Sequence, residues 1–226
     1  MAIHHPGRPE DLPAADVLWS RWALVAVLRA HTEDEGRGGH RTGTWIDGEG
    51  LHLDDSGCTW WTLAPRGEGR FVLYGEDESS SVKWHEPPVD MLAQGPEWLP
   101  YEELRDYLEG QQLGCVYWYE NGSWARAPYP EDLEDDGLEC GMGRYVHDKE
   151  LLSWELDTAG PAAAELLAAA EGRRLTPQAL EELVHGGGTS YRWDLPAMLR
   201  ALALAGLSAR AAEPDLAPDP APDPVV

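Results

Sequence analysis

The sequence predicts an α+β fold: an N-terminal helix, an antiparallel β-meander or sheet with one or two packed helices, and then an α-helical C-terminal part. Three observations carry that expectation. The run Trp22–Leu28 is continuously apolar inside a helix-length segment near the start. Between about residues 44 and 86 the hydrophobic period shortens to two, in short aromatic or β-branched runs parted by turn clusters. Beyond Gly160 the composition turns to alanine and leucine. The chain accordingly divides into an α+β domain over 1–157, a helical module over 158–212, and a Pro/Asp-rich tail over 213–226 expected to be disordered.

Residues 11–31 open with Asp11 and Asp16 and close with Arg29 and His31, the order a helix dipole favours. The middle is apolar nearly all round, which suits a helix packed between other elements or one that serves as an interface. A polar, glycine-rich connector follows over 31–43. The runs TWID, LHLDD, TWWTLA, RFVLYG and VKWHE then read as strands, separated by DGEG, DDSG, PRGEG and EDESSS. Residues 99–110 form a helix with Pro100 in its first turn, Leu104 and Leu108 facing inward and Gly110 as its stop. EDLEDDGLECG is an acidic loop or frayed helix, and 144–156 suits a strand leading into a helix. Three helical segments complete the chain, with Thr176–Pro177 and Asp194 as N-terminal caps.

The segment CVYWYENGSWARA, residues 115–127, carries the strongest hairpin signal, because both central positions of a type I′ turn need positive φ and Asn121-Gly122 supplies them. That loop pairs Glu120 with Ser123, Tyr119 with Trp124, Trp118 with Ala125 and Tyr117 with Arg126. One face, with Val116, Trp118, Ala125 and Ala127, reads as core. The other carries Cys115, Tyr117, Tyr119, Trp124 and Arg126, whose polar atoms need partners if they are buried. Leaving it half exposed avoids that cost, and Tyr, Trp and Arg are enriched at binding hot spots. Tyr117, Tyr119, Trp124 and Arg126 are therefore the expected partner-binding residues, with burial under a helix as the competing reading.

Composition narrows the function classes. Phe and Asn occur once each, and Ile and Lys twice each, a bias that AT-poor coding explains. The formal charge of −24 survives that correction, since arginine was available to balance it. Such a chain is repelled by phosphate backbones and by anionic membrane surfaces, which leaves a basic protein as the expected partner. The start of the chain has no signal-peptide architecture, and its three cysteines are scattered, so a reducing cytoplasm is the expected location.

The catalytic motifs are incomplete. HGGG at 185–188 has no G-x-S-x-G elbow to serve, and SSVK at 80–83 lacks the companion motifs of serine acyl-enzymes. WHEPPVD lacks the second histidine of a zinc helix, and no spacing ties His52, Cys58, Cys115 and Cys140 into a metal site. GMGRYV lacks the third glycine of a dinucleotide loop. No cofactor or metal is expected, and the carboxylates at 54–55, 76–78 and 131–139 read as solvated loop acids.

In general style, acidic, tryptophan-rich α+β chains of this size resemble bacterial immunity and small adaptor proteins, with no shared motif to carry residues across. The expected function is a non-enzymatic interaction protein that binds a basic protein through its Trp/Tyr-bearing sheet face. The alternatives are a carboxylate-dependent hydrolase with a Trp-lined cleft, and a scaffold subunit that docks through its helices.

Overall fold

The computed structural model describes residues 3–34, 41–146, 152, 154–186 and 191–208. Helix α1 (Ala15–Leu28) precedes four strands, β1 (Gly43–Ile46), β2 (Leu51–Asp54), β3 (Thr59–Pro65) and β4 (Phe71–Asp77). Helix α2 (Tyr101–Glu109) lies in the long connection to β5 (Cys115–Glu120) and β6 (Ser123–Arg126). Helices α3 (Leu138–Val146), α4 (Ala163–Glu171), α5 (Pro177–His185) and α6 (Leu195–Ala205) follow. The architecture is α+β, as the hydrophobic periods require.

All six strands form one antiparallel sheet whose order is the chain order. Asn121 and Gly122 take φ of 53° and 84°, and the hairpin register is the one those two residues dictate, with Tyr119 opposite Trp124 and Tyr117 opposite Arg126. Strands β3, β4 and β5 are buried along consecutive residues instead of alternating with solvent, so the sheet is covered on both faces. Trp61, Leu63, Leu73, Cys115 and Tyr117 meet α1 and α3 on one face. Val72, Tyr74, Val116 and Trp118 meet the 82–113 connection, including Leu104 of α2, on the other.

Helix α1 is apolar all round because it is covered all round: eleven of its fourteen residues are buried. The sheet and α3 take one side, and α4 and α6 take the other. Trp19 donates its indole N–H to the Ala205 carbonyl at 2.9 Å, and Trp22 stacks on Tyr145 at 5.1 Å and 11°. Each such side chain withdrawn from water contributes about 1.5–3 kcal/mol. Leu166, Leu180, Met198 and Leu202 belong to the same core as α1 and the sheet, so the alanine-rich helices share one interior with the α+β part. Thr176 Oγ1 accepts from Ala179 N and Asp194 Oδ1 from Ala197 N, the two caps the sequence predicts.

Two elements differ from expectation. VKWHE is not a strand; Ser81–Trp84 is a short 3₁₀ turn. Its polar groups bond to a neighbouring turn and to the acidic segment: Ser80 Oγ donates to Asp77 O, Val82 N donates to Asp135 O, and Ser81 Oγ accepts from Asp135 N. Val82 and Trp84, which a strand would place on one face, are parted by the turn: Val82 is buried and Trp84 exposed. Helix α3 runs on to Val146, which removes the strand reading for 144–146; residues 147–151 and 153 lie outside the described residues, as does the expected tail over 213–226.

Candidate interaction surface

The hairpin face expected to meet a partner is an interior face. Tyr117 is fully buried and Trp124 is 7% exposed, while Tyr119 and Arg126 are half-buried. The N-terminal segment, with a 3₁₀ turn at Pro9–Asp11, lies over it beside α1 and α3. Trp124 Nε1–H donates to the Pro13 carbonyl at 2.6 Å, and Arg126 Nε donates to the Gly7 carbonyl at 3.0 Å. The Arg126 guanidinium sits 3.6 Å from the centroid of the Tyr129 ring. The Tyr119–Trp124 ring pair forms, at 5.1 Å. The desolvation cost that argued for exposure is met by internal partners, so burial is tolerated.

The centre of that network is Asp136, which is buried. Its Oδ2 accepts from the Tyr117 hydroxyl at 2.8 Å and the Tyr129 hydroxyl at 3.1 Å, and its Oδ1 from Gly7 N at 3.0 Å and Leu138 N at 3.3 Å. Burial, and then the Asp136 charge, push both phenols well above the usual tyrosine range, so they stay protonated donors. Gly7 allows the close approach, since a Cβ there would lie 2.7 Å from the Tyr117 hydroxyl. Asp11 fastens the same segment, accepting from His4 N and Arg8 N at 3.0 and 2.8 Å. Burial pushes its pKa up, but the bonds from His4 and Arg8 outweigh that and hold it below the usual range.

Several of the acids considered for catalysis have structural partners. Asp54 and Asp55 accept backbone N–H groups of Ser56, Gly57 and Thr59, and Asp77 accepts from Ser79. Glu76, expected in solvent, is buried and binds the Trp60 indole N–H at 3.0 Å together with the Lys83 ammonium. Ser80 is fully buried, and Lys83 belongs to Glu76, which separates the two ends of SSVK. His185 ends α5, and Gly187 and Gly188 lie outside the described residues. Among the described residues no group of three His, Cys, Asp or Glu side chains is placed to hold a metal ion, and no helix is long and apolar enough to cross a membrane. Helix α1, considered as a docking helix, is inside the fold.

The outward aromatic surface lies elsewhere. Trp84 is 77% exposed at the end of the 3₁₀ turn, on the sheet side opposite α1. It borders a cleft of about 630 Å³ whose apolar floor includes Val82, Val89, Met91 and Leu113. One wall is the C-terminal end of α2, with Leu108 and Glu109. The turn is pinned on both sides of the indole. Lys83 reaches Glu76 on β4 and the Gln111 carbonyl, and His85 places Nδ1 at 2.7 Å from the Pro87 carbonyl and Nε2 at 3.2 Å from Asp132 Oδ1. Both partners of His85 are obligate acceptors, so satisfying both ring nitrogens requires the imidazolium. The Pro87 carbonyl, and then Asp132, raise the His85 pKa accordingly. The sequence reading missed this surface, because Trp84 sat in a run taken for a strand.

No family model matches this chain, and neither the curated proteins nor the solved structures searched contain a match.

Proposed function

We propose that this chain is a non-enzymatic interaction protein that captures a basic protein partner by charge. The observation that carries the reading is the disposition of its charges. The formal charge is −24, from 41 acids against 17 lysines and arginines. Several of those cations hold the fold together: Arg21 binds Glu171, Arg29 and Arg144 bind Glu155, Arg66 binds Glu103, and Arg70 binds Glu120. Cations engaged in this way leave the acid excess facing outward, which speeds the encounter with a cationic surface and repels nucleic acid and anionic lipid.

Five of the acids weighed for a hydrolase support this reading over that one: Asp54, Asp55 and Asp77 cap turns, Asp136 collects buried donors, and Glu76 is paired with Lys83. The test is the association rate with polylysine, measured by stopped flow as ionic strength rises. Capture by charge requires the rate to fall steeply between about 0.01 M and about 0.15 M salt, as the Debye length shrinks from about 30 Å to about 8 Å. An association rate indifferent to salt overturns the proposal.

A further inference from the structure

We infer that the Trp84 cleft is the docking site for an extended basic segment of the partner, one that carries an aliphatic side chain next to a lysine or arginine. This deepens the charge-capture reading and rests on it. The first support is the indole itself. Among the described residues two large rings are exposed, Trp84 at 77% and Trp154 at 78%, and the others are buried or half-buried. Its exposure is not that of a loose end. Val82 is buried two residues before it, Lys83 is locked to Glu76, and His85 is locked to Pro87 and Asp132. The backbone therefore presents the ring in a fixed place, and fixing a contact group before binding lowers the ordering cost of association.

The chemistry of the cleft selects the occupant. Its floor of Val82, Val89, Met91 and Leu113 is apolar and accepts an aliphatic side chain. Its rim carries Glu86, Asp90 and Glu109, all exposed. The two cations that line it, Lys83 and His85, already face Glu76 and Asp132. The C-terminal end of α2 adds the negative pole of a helix dipole. A lysine or arginine side chain entering here finds carboxylates on the rim and an open aromatic face for a cation–π contact. A second copy of this chain fits poorly, since two surfaces of charge −24 repel.

Two fluorescent peptides of equal length and charge test the inference, one alternating lysine with leucine and one alternating lysine with glycine. Titrated at low ionic strength, both bind the full chain, the leucine peptide more tightly. Trp84→Ala removes an exposed ring and leaves the core intact; it weakens the leucine peptide by about ten-fold, as expected for an aromatic anchor, and the glycine peptide by less, through the lost cation–π contact alone. The double variant Glu86→Gln, Asp90→Asn weakens both peptides. If both peptides bind and Trp84→Ala changes neither, the cleft is not the docking site although charge capture stands. Failure of both peptides to bind overturns the charge-capture reading itself. Sedimentation showing a dimer that Trp84→Ala dissolves also overturns the inference, in favour of self-association.

Discussion

Helix α3 meets the sheet through Gly141, and replacing that glycine tests how tightly the core is keyed. An alanine Cβ at 141 would lie 1.9 Å from Trp61 Nε1 and 2.1 Å from its Cδ1. Carbon contacts normally sit at about 3.5–4.0 Å, so the ring or the helix must move by well over 1 Å. The ring has no easy retreat. Trp61 is fully buried, and Gly75 on β4 is so close that a Cβ there would lie 2.9 Å from Trp61 Cδ2. Gly143 is the internal control: on the same helix, its Cβ would meet nothing nearer than Glu139 Cγ at 3.5 Å. Glycine to alanine in a helix gains about 1 kcal/mol, and overpacking a tight core costs about 1–3 kcal/mol or more. Gly143→Ala should therefore stabilise by up to about 1 kcal/mol, whereas Gly141→Ala should destabilise by about 2 kcal/mol, a gap of about 3 kcal/mol from which helix propensity cancels. Urea unfolding followed by tryptophan fluorescence reads both variants. Equal midpoints would refute the packing of α3 on Trp61.

Three further outcomes follow from the described contacts. Trp124→Ala removes a buried ring beneath the N-terminal segment and should cost about 3–5 kcal/mol of unfolding free energy while leaving peptide binding at Trp84 intact; a loss of binding with unchanged stability would restore the hairpin as the contact surface. Asp194 accepts from Thr32 N and Ala197 N, which hold its pKa down at about 2 from 3.8. A depressed pKa stabilises fully above 3.8 and fades as pH falls toward 2, so Asp194→Ala should cost about 1 kcal/mol at neutral pH, with the deficit narrowing across that acid window in pH-dependent unfolding. His5 lies 2.5 Å from Glu139 and 3.3 Å from Asp135, bonds that raise its pKa above 6.5, as Pro87 and Asp132 raise that of His85. A raised pKa stabilises fully below 6.5 and is lost as pH climbs through the folded value, so amide protection in 131–139 should fall as pH rises above 6.5. Protection that falls equally in the double variant His5→Gln, His85→Gln would refute the part given to these two histidines.

What was legible in the sequence was local. Asn121-Gly122 set the hairpin and its register, Thr176 and Asp194 marked helix starts, and the period of two marked the first four strands, because each signal acts within a few residues. The fate of the Tyr117–Trp124 face was not legible, since the groups that satisfy its polar atoms lie in segments with no period. Its polar partners come from Gly7, Pro13 and Asp136, and the N-terminal segment that supplies the first two is irregular and proline-bearing. Asp136 itself is one acid in the run EDLEDDGLE, and nothing in its neighbours distinguishes the carboxylate that collects four donors. Trp84 was hidden for the opposite reason: apolar Val82 and Trp84 on either side of Lys83 imitate the alternation of a strand, although the turn buries one and exposes the other.

The enclosure of α1 bears on how the chain is made. A sheet whose spatial order follows its synthesis order can grow strand by strand, each docking on the one before. Helix α1 emerges before the sheet yet gains its outer cover only after it, when α4 and α6 leave the ribosome. Until then a greasy rod with two tryptophans lies open on a half-built protein, the kind of surface chaperones recognise. Ribosomes halted before residue 195 should therefore carry nascent chains that a holdase grips, and adding the last helix should release them.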